Sequence, residues 1–154
     1  MDLNGTLAVS ATALRAERLR LDVIASNLAN ANTTRTVEGG PYRRRNVVFA
    51  TQALENDFAS TLEAATDFAS EPLAEERTQQ GVAVTDVIDD TSPPRMVFDP
   101  GHPDANKEGY VAYPNVNPVA EMVDLMAATR AYEANVQAVN ASRRMAEAAL
   151  AIGG

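Results

Sequence analysis

Apolar residues at the two ends of this chain recur at alternating steps of four and three. Leu3, Leu7, Leu14, Leu21, Ile24, Leu28 and Ala31, with Ser10 and Glu17 filling the gaps, keep that spacing unbroken from 3 to 31. Met122, Leu125, Thr129, Tyr132, Val136, Val139, Arg143, Ala146 and Leu150 repeat it near the other end. Such spacing is the seam of a coiled coil, and it requires long helices with a narrow apolar face. At ~1.5 Å per residue the first helix would extend about 40 Å. Pro118 suits the first turn of the second helix, where a missing N–H costs nothing, and Gly153-Gly154 closes it. A second stripe on that helix, Ala127, Ala131, Ala134, Ala138, Ala141, Met145 and Ala148, either admits a close partner or reflects only alanine's helix propensity.

Between the helices the pattern changes. The runs 45–52, 81–90, 94–101 and 109–116 are short, β-branched and bounded by Pro or Gly, which predicts strands. The acidic, alanine-rich stretch 53–80 is expected to hold a short helix with Leu54, Phe58, Leu62, Ala65 and Phe68 on one face, or else a loop. The fold class expected is therefore mainly α with a small β insert. Residues 1–33 and 117–152 would pair as a terminal helical coiled-coil domain, and 34–116 would form the middle insert carrying the acidic 53–80 segment. Aromatic residues make up 5% of the chain and Trp is absent, so a large globular core is not expected. One thin seam cannot offset the entropy of ordering such long helices, which points to support from neighbouring molecules.

Charge narrows the function classes. Net charge is −8, distributed as +3 over residues 1–50 and −10 over 51–104. An acidic chain lacks the basic field that nucleic-acid binding needs. A basic end and an acidic middle suit contacts between subunits instead. Without cysteine there is no disulfide framework, thiol catalysis or Cys-ligated zinc. No apolar run reaches the ~18 residues of a membrane span. Arg15, Glu17, Arg18 and Arg20 interrupt any secretory signal, so the chain is expected either to stay in the cytoplasm or to leave by a route that cleaves no signal.

Three short motifs invite chemistry. His102 with Asp99 and Asp104 suggests a metal or acid–base pair, but it is the only histidine, held between Pro100 and Pro103. Asp104, Asn106, Glu108 and Gly109 match the front half of a calcium loop, yet Asn115 stands where its bidentate Glu belongs, so a tight turn is favoured. The triplet Arg43, Arg44 and Arg45 after Gly39-Gly40-Pro41-Tyr42 reads as a contact for an acidic surface, such as the 53–77 stretch of a neighbour. Asn27, Asn30 and Asn32 crowd the end of the first helix, where Asn competes with helical hydrogen bonds. They are expected to bond backbone at the bend and across a subunit contact, and to leave the helix end frayed in an isolated chain.

Three segments together resemble a known family. Residues 20–36, RLDVIASNLANANTTRT, resemble the N-terminal signature of bacterial flagellar rod and hook proteins. Residues 121–145, EMVDLMAATRAYEANVQAVNASRRM, resemble their C-terminal signature, and residues 39–49 with 99–117 resemble the proximal rod members in particular. The likeness covers 10–50 and 81–146 and lapses in 53–80. It implies a non-enzymatic basal-body subunit, exported unfolded by the flagellar type III apparatus, that polymerises helically in the periplasm and needs no cofactor or metal. Its partners would be further copies of itself and the rod proteins FlgB, FlgF and FliE, with no nucleic acid and no membrane span. Seam and signatures together make Leu14, Leu21, Ile24, Leu28, Met122, Leu125, Val136 and Val139 the apolar candidates for assembly contacts. Asn27, Asn30, Asn32, Tyr42, Arg43, Arg44, Arg130, Tyr132, Glu133 and Asn135 are the polar ones. The competing expectations are a cytoplasmic coiled-coil adaptor using the same seams and, more remotely, a hydrolase or metalloenzyme built on His102.

Overall fold

The computed structural model describes residues 3–54 and 80–152. Helix α1, Leu3–Ala29, opens the described chain, and helix α2, Pro118–Ile152, closes it. Four strands lie between them: β1 (Arg45–Ala53), β2 (Gln80–Asp89), β3 (Arg95–Phe98) and β4 (Tyr110–Tyr113). They form two separate antiparallel pairs, β1 with β2 and β3 with β4. The expected plan of two helices flanking a short β middle is the one observed. The helix expected on Phe58, Leu62, Ala65 and Phe68 lies outside the described residues.

Local chemistry explains where the elements begin and end. Asn117 caps α2: its Oδ1 accepts from the amides of Val119 (3.0 Å) and Ala120 (3.4 Å), with Pro118 in the first turn. At the end of α1, Asn30 turns its Nδ2 back onto the Ser26 carbonyl (2.9 Å) and accepts from Thr33 Oγ1 (3.1 Å) at Oδ1. The β1–β2 ladder shifts register between Val48 and Phe49, which leaves Thr85 as the extra residue, its hydroxyl on the Val48 carbonyl (3.2 Å). The β3–β4 connection is a tight turn in which Asn106 Oδ1 accepts from the amides of Glu108 and Tyr110 (both 2.9 Å). The left-handed backbone this turn needs is supplied by Gly109, at φ +83°.

The two helices pack along each other, and the β1–β2 hairpin lies against α1. On α1 every expected seam position from Leu7 to Ala31 is buried or half-buried. Glu17 keeps Arg20 at 3.8 Å, but its Oε2 has no hydrogen-bond partner, which is the cost of a carboxylate in the seam. On α2 the covered stripe keeps Leu125, Tyr132, Val139 and Ala146 of the expected one and moves the alternate positions back by one residue. Glu121, Leu125, Ala128, Tyr132, Asn135, Val139, Ser142 and Ala146 make up the sheltered stripe, whereas Met122, Thr129, Val136, Arg143 and Leu150 face outward. The reason is size and polarity. Ala128 and Ser142 are small enough for close approach, and Glu121 has a cation waiting inside, so the rotation seats all three and turns an arginine out to water. The apolar core that results is thin, with Ala16, Ile24, Ala31, Val111, Val116 and Ala128 as its buried members.

Candidate functional site

Where the end of α1, the start of β1 and the start of α2 meet, four polar side chains close on one another. Asn27 is 1% exposed and Glu121 is 0% exposed. Asn27 Nδ2 donates to the Arg45 carbonyl (2.9 Å) and to Glu121 Oε2 (3.1 Å). Its Oδ1 accepts from the Arg45 amide and from the Tyr42 hydroxyl, both at 2.9 Å. A primary amide has two donors and two acceptor positions, so Asn27 is saturated. The proton of Tyr42 is thereby committed, and Ser26 Oγ, 3.3 Å away, is the donor to the Tyr42 oxygen.

Arg44 completes the junction. Its Nε donates to Glu121 Oε1, Nη1 reaches Asn46 Oδ1, and Nη2 lies 3.5 Å from Asp124 Oδ2. A buried carboxylate is tolerable only when paired and hydrogen-bonded, and both Glu121 oxygens are used. Glu121 also stands in the first turn of α2, where the helix dipole favours negative charge. Arg45, by contrast, holds Asp89 at 3.3 Å on the surface, a pair worth little. The cleft beside the junction encloses about 310 Å³ between Arg20, Val23, Phe49 and Asp124. Nearby, Asp90 is held below the usual carboxylate range by the Ser92 hydroxyl and amide, with Arg44 assisting.

Asn30 is half-buried and bonds only Ser26 and Thr33 at the end of α1, and the other expected site residues divide into three groups. Asn27, Tyr42 and Arg44 come together at the junction, although Asn27 had been expected to weaken a helix end. Its side chain bonds the Arg45 backbone at the bend and fastens α1 to β1 and α2, and none of its bonds is left for a neighbour. Leu14, Leu21, Ile24, Leu28, Leu125, Tyr132, Asn135 and Val139 lie on the covered faces of the helices. Asn32, Arg43, Met122, Arg130, Glu133 and Val136 are exposed. Most of the alanine stripe on α2 is also exposed, Ala131 being half-buried. Glu121 and Asp124 were not singled out in the sequence, and Arg45 was marked only as part of the 43–45 triplet. An acid in the first turn after Asn117-Pro118 was the available signal for Glu121.

The outward side of α2 carries an apolar ledge. Val119 is 70% exposed, Met122 52%, Val123 55% and Met126 55%, and their spacing places them on one side of the first three turns. A cluster of this kind on a soluble surface marks a contact site.

Neither chemical motif forms a reactive centre. His102 Nδ1 accepts from the Asp104 amide (3.1 Å), and its ring meets Tyr113 edge-on. The Asp104 carboxylate ties the turn to the end of α1, accepting from Thr34 Oγ1 (2.8 Å) and lying 3.6 Å from Arg35. Among the described residues no group of three His, Asp or Glu is placed to hold a metal, and no helix is long and apolar enough to cross a membrane.

Comparison with known proteins gives a consistent result. The family described as flagella basal body rod protein matches residues 7–35, and the family described as flagellar basal body rod FlgEFG protein C-terminal matches 107–152. The flagellar basal-body rod protein FlgC of Borreliella burgdorferi is 42% identical over 99% of this chain and 98% of its own length. That of Bacillus subtilis is 46% identical over 96% of each chain. That of Escherichia coli O157:H7 is 39% identical over 99% of each.

Proposed function

The chain belongs to the FlgC family of flagellar basal-body rod proteins, and from that membership we propose how its surfaces serve the rod. It is a structural subunit of the basal-body rod rather than an enzyme, and the rod is where it resides. The finer reading is ours. Subunits polymerise helically, join the inner-membrane ring complex to the distal rod and hook, and transmit torque. Their partners are further copies and the neighbouring rod proteins FlgB, FlgF and FliE, reached after export through the flagellar type III apparatus. The terminal segments 1–33 and 117–152 pair as a coiled-coil domain, while 34–116 forms the middle insert.

The observation that carries this reading is the ledge of Val119, Met122, Val123 and Met126. Helix α2 is packed against α1 on one side, and on the other these four large apolar residues stay exposed among the described residues. Subunit contacts cover this ledge, with exposed Arg130, Glu133 and Val136 extending it along α2. The covered seam of α1 and the four-and-three spacing of the sheltered α2 positions support the coiled coil. Asn27, Tyr42 and Arg44 orient the middle insert on the helices and so set the surface a neighbour meets.

Electron microscopy of basal bodies from an in-frame deletion strain tests the proposal. Rings lacking a completed rod, restored by the plasmid-borne gene, are expected. A gene carrying Met122→Asp with Met126→Asp should yield folded subunit and fail to restore the rod. Rods built normally by the double variant would refute the role given to the ledge.

A further inference from the structure

The solvent side of the β3–β4 ribbon is apolar, where an antiparallel pair with one packed face ordinarily carries polar residues. Its register sets Met96 beside Ala112 and Phe98 beside Tyr110, so every position of that face is apolar. Met96 is 53% exposed, Phe98 64% and Tyr110 41%, whereas Val111 on the opposite face is fully buried. Among the described elements the ribbon packs against no helix and no other strand. The open face is nonetheless ordered. Phe98 meets Tyr110 edge-on at 5.3 Å and leans on Gly109, where a Cβ would stand 2.8 Å from Phe98 Cε2.

We propose that this face receives the ledge of Val119, Met122, Val123 and Met126 from a second copy of the chain. The inference rests on the helical assembly and ledge contact proposed for the rod, and it names the surface on the other side. An open helical array needs two different patches that fit each other, because a patch that pairs with itself closes a dimer. The ledge runs about 10 Å along α2, and the ribbon face is about 7 Å long and two strands wide, so their sizes match. A thioether against a ring is a favourable contact, and Met122 and Met126 supply it for Phe98 and Tyr110. Charge agrees as well. Arg130 continues the ledge four residues beyond Met126, and Glu108 stands at the turn end of the ribbon. Both are exposed, and neither has an ion pair among the described residues. Other exposed apolar residues make poorer receivers. Val48 and Ile88 share a face of β1–β2 with Asn46 and Asp86, and Met145 and Leu150 lie about 140° apart around α2. The seven side chains of ledge and ribbon together hide on the order of 700 Å², less than a stable free dimer needs. Single subunits therefore stay apart until several neighbours hold them at once.

A chain without cysteine allows a direct test in the assembled rod. Met96→Cys with Met122→Cys in one chain, expressed in the deletion strain and oxidised in isolated basal bodies, should give disulfide-linked products at multiples of the subunit mass. Either substitution alone should give none. Dimers from Met122→Cys alone would overturn the proposal by pairing ledge with ledge. A bond closed within one chain, or a product whose mass includes another rod protein, would do the same. Rods that assemble and yield no linked product would overturn this pairing and leave the ledge itself standing, since the ledge is judged separately by the Met122→Asp and Met126→Asp variant. A charge exchange gives a second reading that does not depend on the cysteine chain building a rod. Arg130→Glu should impair motility, and Glu108→Arg in the same chain should restore it. An impairment that the second charge leaves unrelieved would overturn the pairing.

Discussion

Asn27→Ala removes both donors and both acceptors from a position at which water has no access. Four hydrogen bonds at about 0.5–1.5 kcal/mol each, with the bond to the Glu121 carboxylate at the upper end, sum to roughly 4 kcal/mol. Alanine's better helix propensity returns about 0.5–0.7 kcal/mol. The net loss is therefore roughly 3 kcal/mol, a large share of the ~5–15 kcal/mol that holds a typical domain together. For a chain of this length that corresponds to a fall in Tm of roughly 6–12 °C. Urea unfolding of the purified subunit, followed by far-ultraviolet circular dichroism, should show a lower midpoint with an unchanged slope. Asn30→Ala is the control, because its partners Ser26 and Thr33 lie within one turn, and its expected cost is about 1 kcal/mol. The opposite expectation, that Asn27 merely weakens a helix end, predicts more helix and equal or greater stability on substitution. That result, or a wild-type chain with no cooperative transition, would refute the reasoning.

Other substitutions test the remaining contacts. Arg44→Met should destabilise by about 3–5 kcal/mol by stranding Glu121, and Glu121→Leu in the same chain should recover most of that loss in urea titrations. Gly81→Ala drives a methyl into Thr12 and should cost about 1–3 kcal/mol, with a smaller penalty when Thr12 is itself Ala; a double-mutant cycle reads the coupling. Gly109→Ala meets Phe98 Cε2 at 2.8 Å as well as an unfavourable φ, whereas Gly39→Ala meets nothing within 4 Å, so thermal melts should show the larger loss at Gly109.

Much of the architecture was legible because it is local. Helix spans follow from the four-and-three spacing, the start of α2 from Asn117-Pro118, and the strands from short β-branched runs between Pro and Gly. The α1 seam was readable because Leu14, Leu21, Ile24 and Leu28 are large and apolar in an unbroken series. On α2 the same reading placed Leu125, Tyr132 and Val139 correctly but picked Met122 and Val136 for their size, where the covered residues are the ones just before, Glu121 and Asn135. A partial rotation of a helix about its axis changes no backbone hydrogen bond and no propensity, so nothing within α2 itself selects between the two faces. Its neighbour does, by offering room for Ala128 and Ser142 and a guanidinium for Glu121.

The junction shows the same division more sharply. Sequence alone marked Asn27, Tyr42 and Arg44 as noteworthy and expected Asn27 to weaken an isolated helix end and to bond backbone at the bend, but it could not name the partners. Its partners are 15, 18 and 94 residues away along the chain. Periodicity and capping act over a few residues, and they settled which segments are helix, strand and turn. Charge pairing and hydrogen-bond saturation act over a few ångströms, so only the folded chain could turn a helix-weakening asparagine into the fastening between both helices and the β middle.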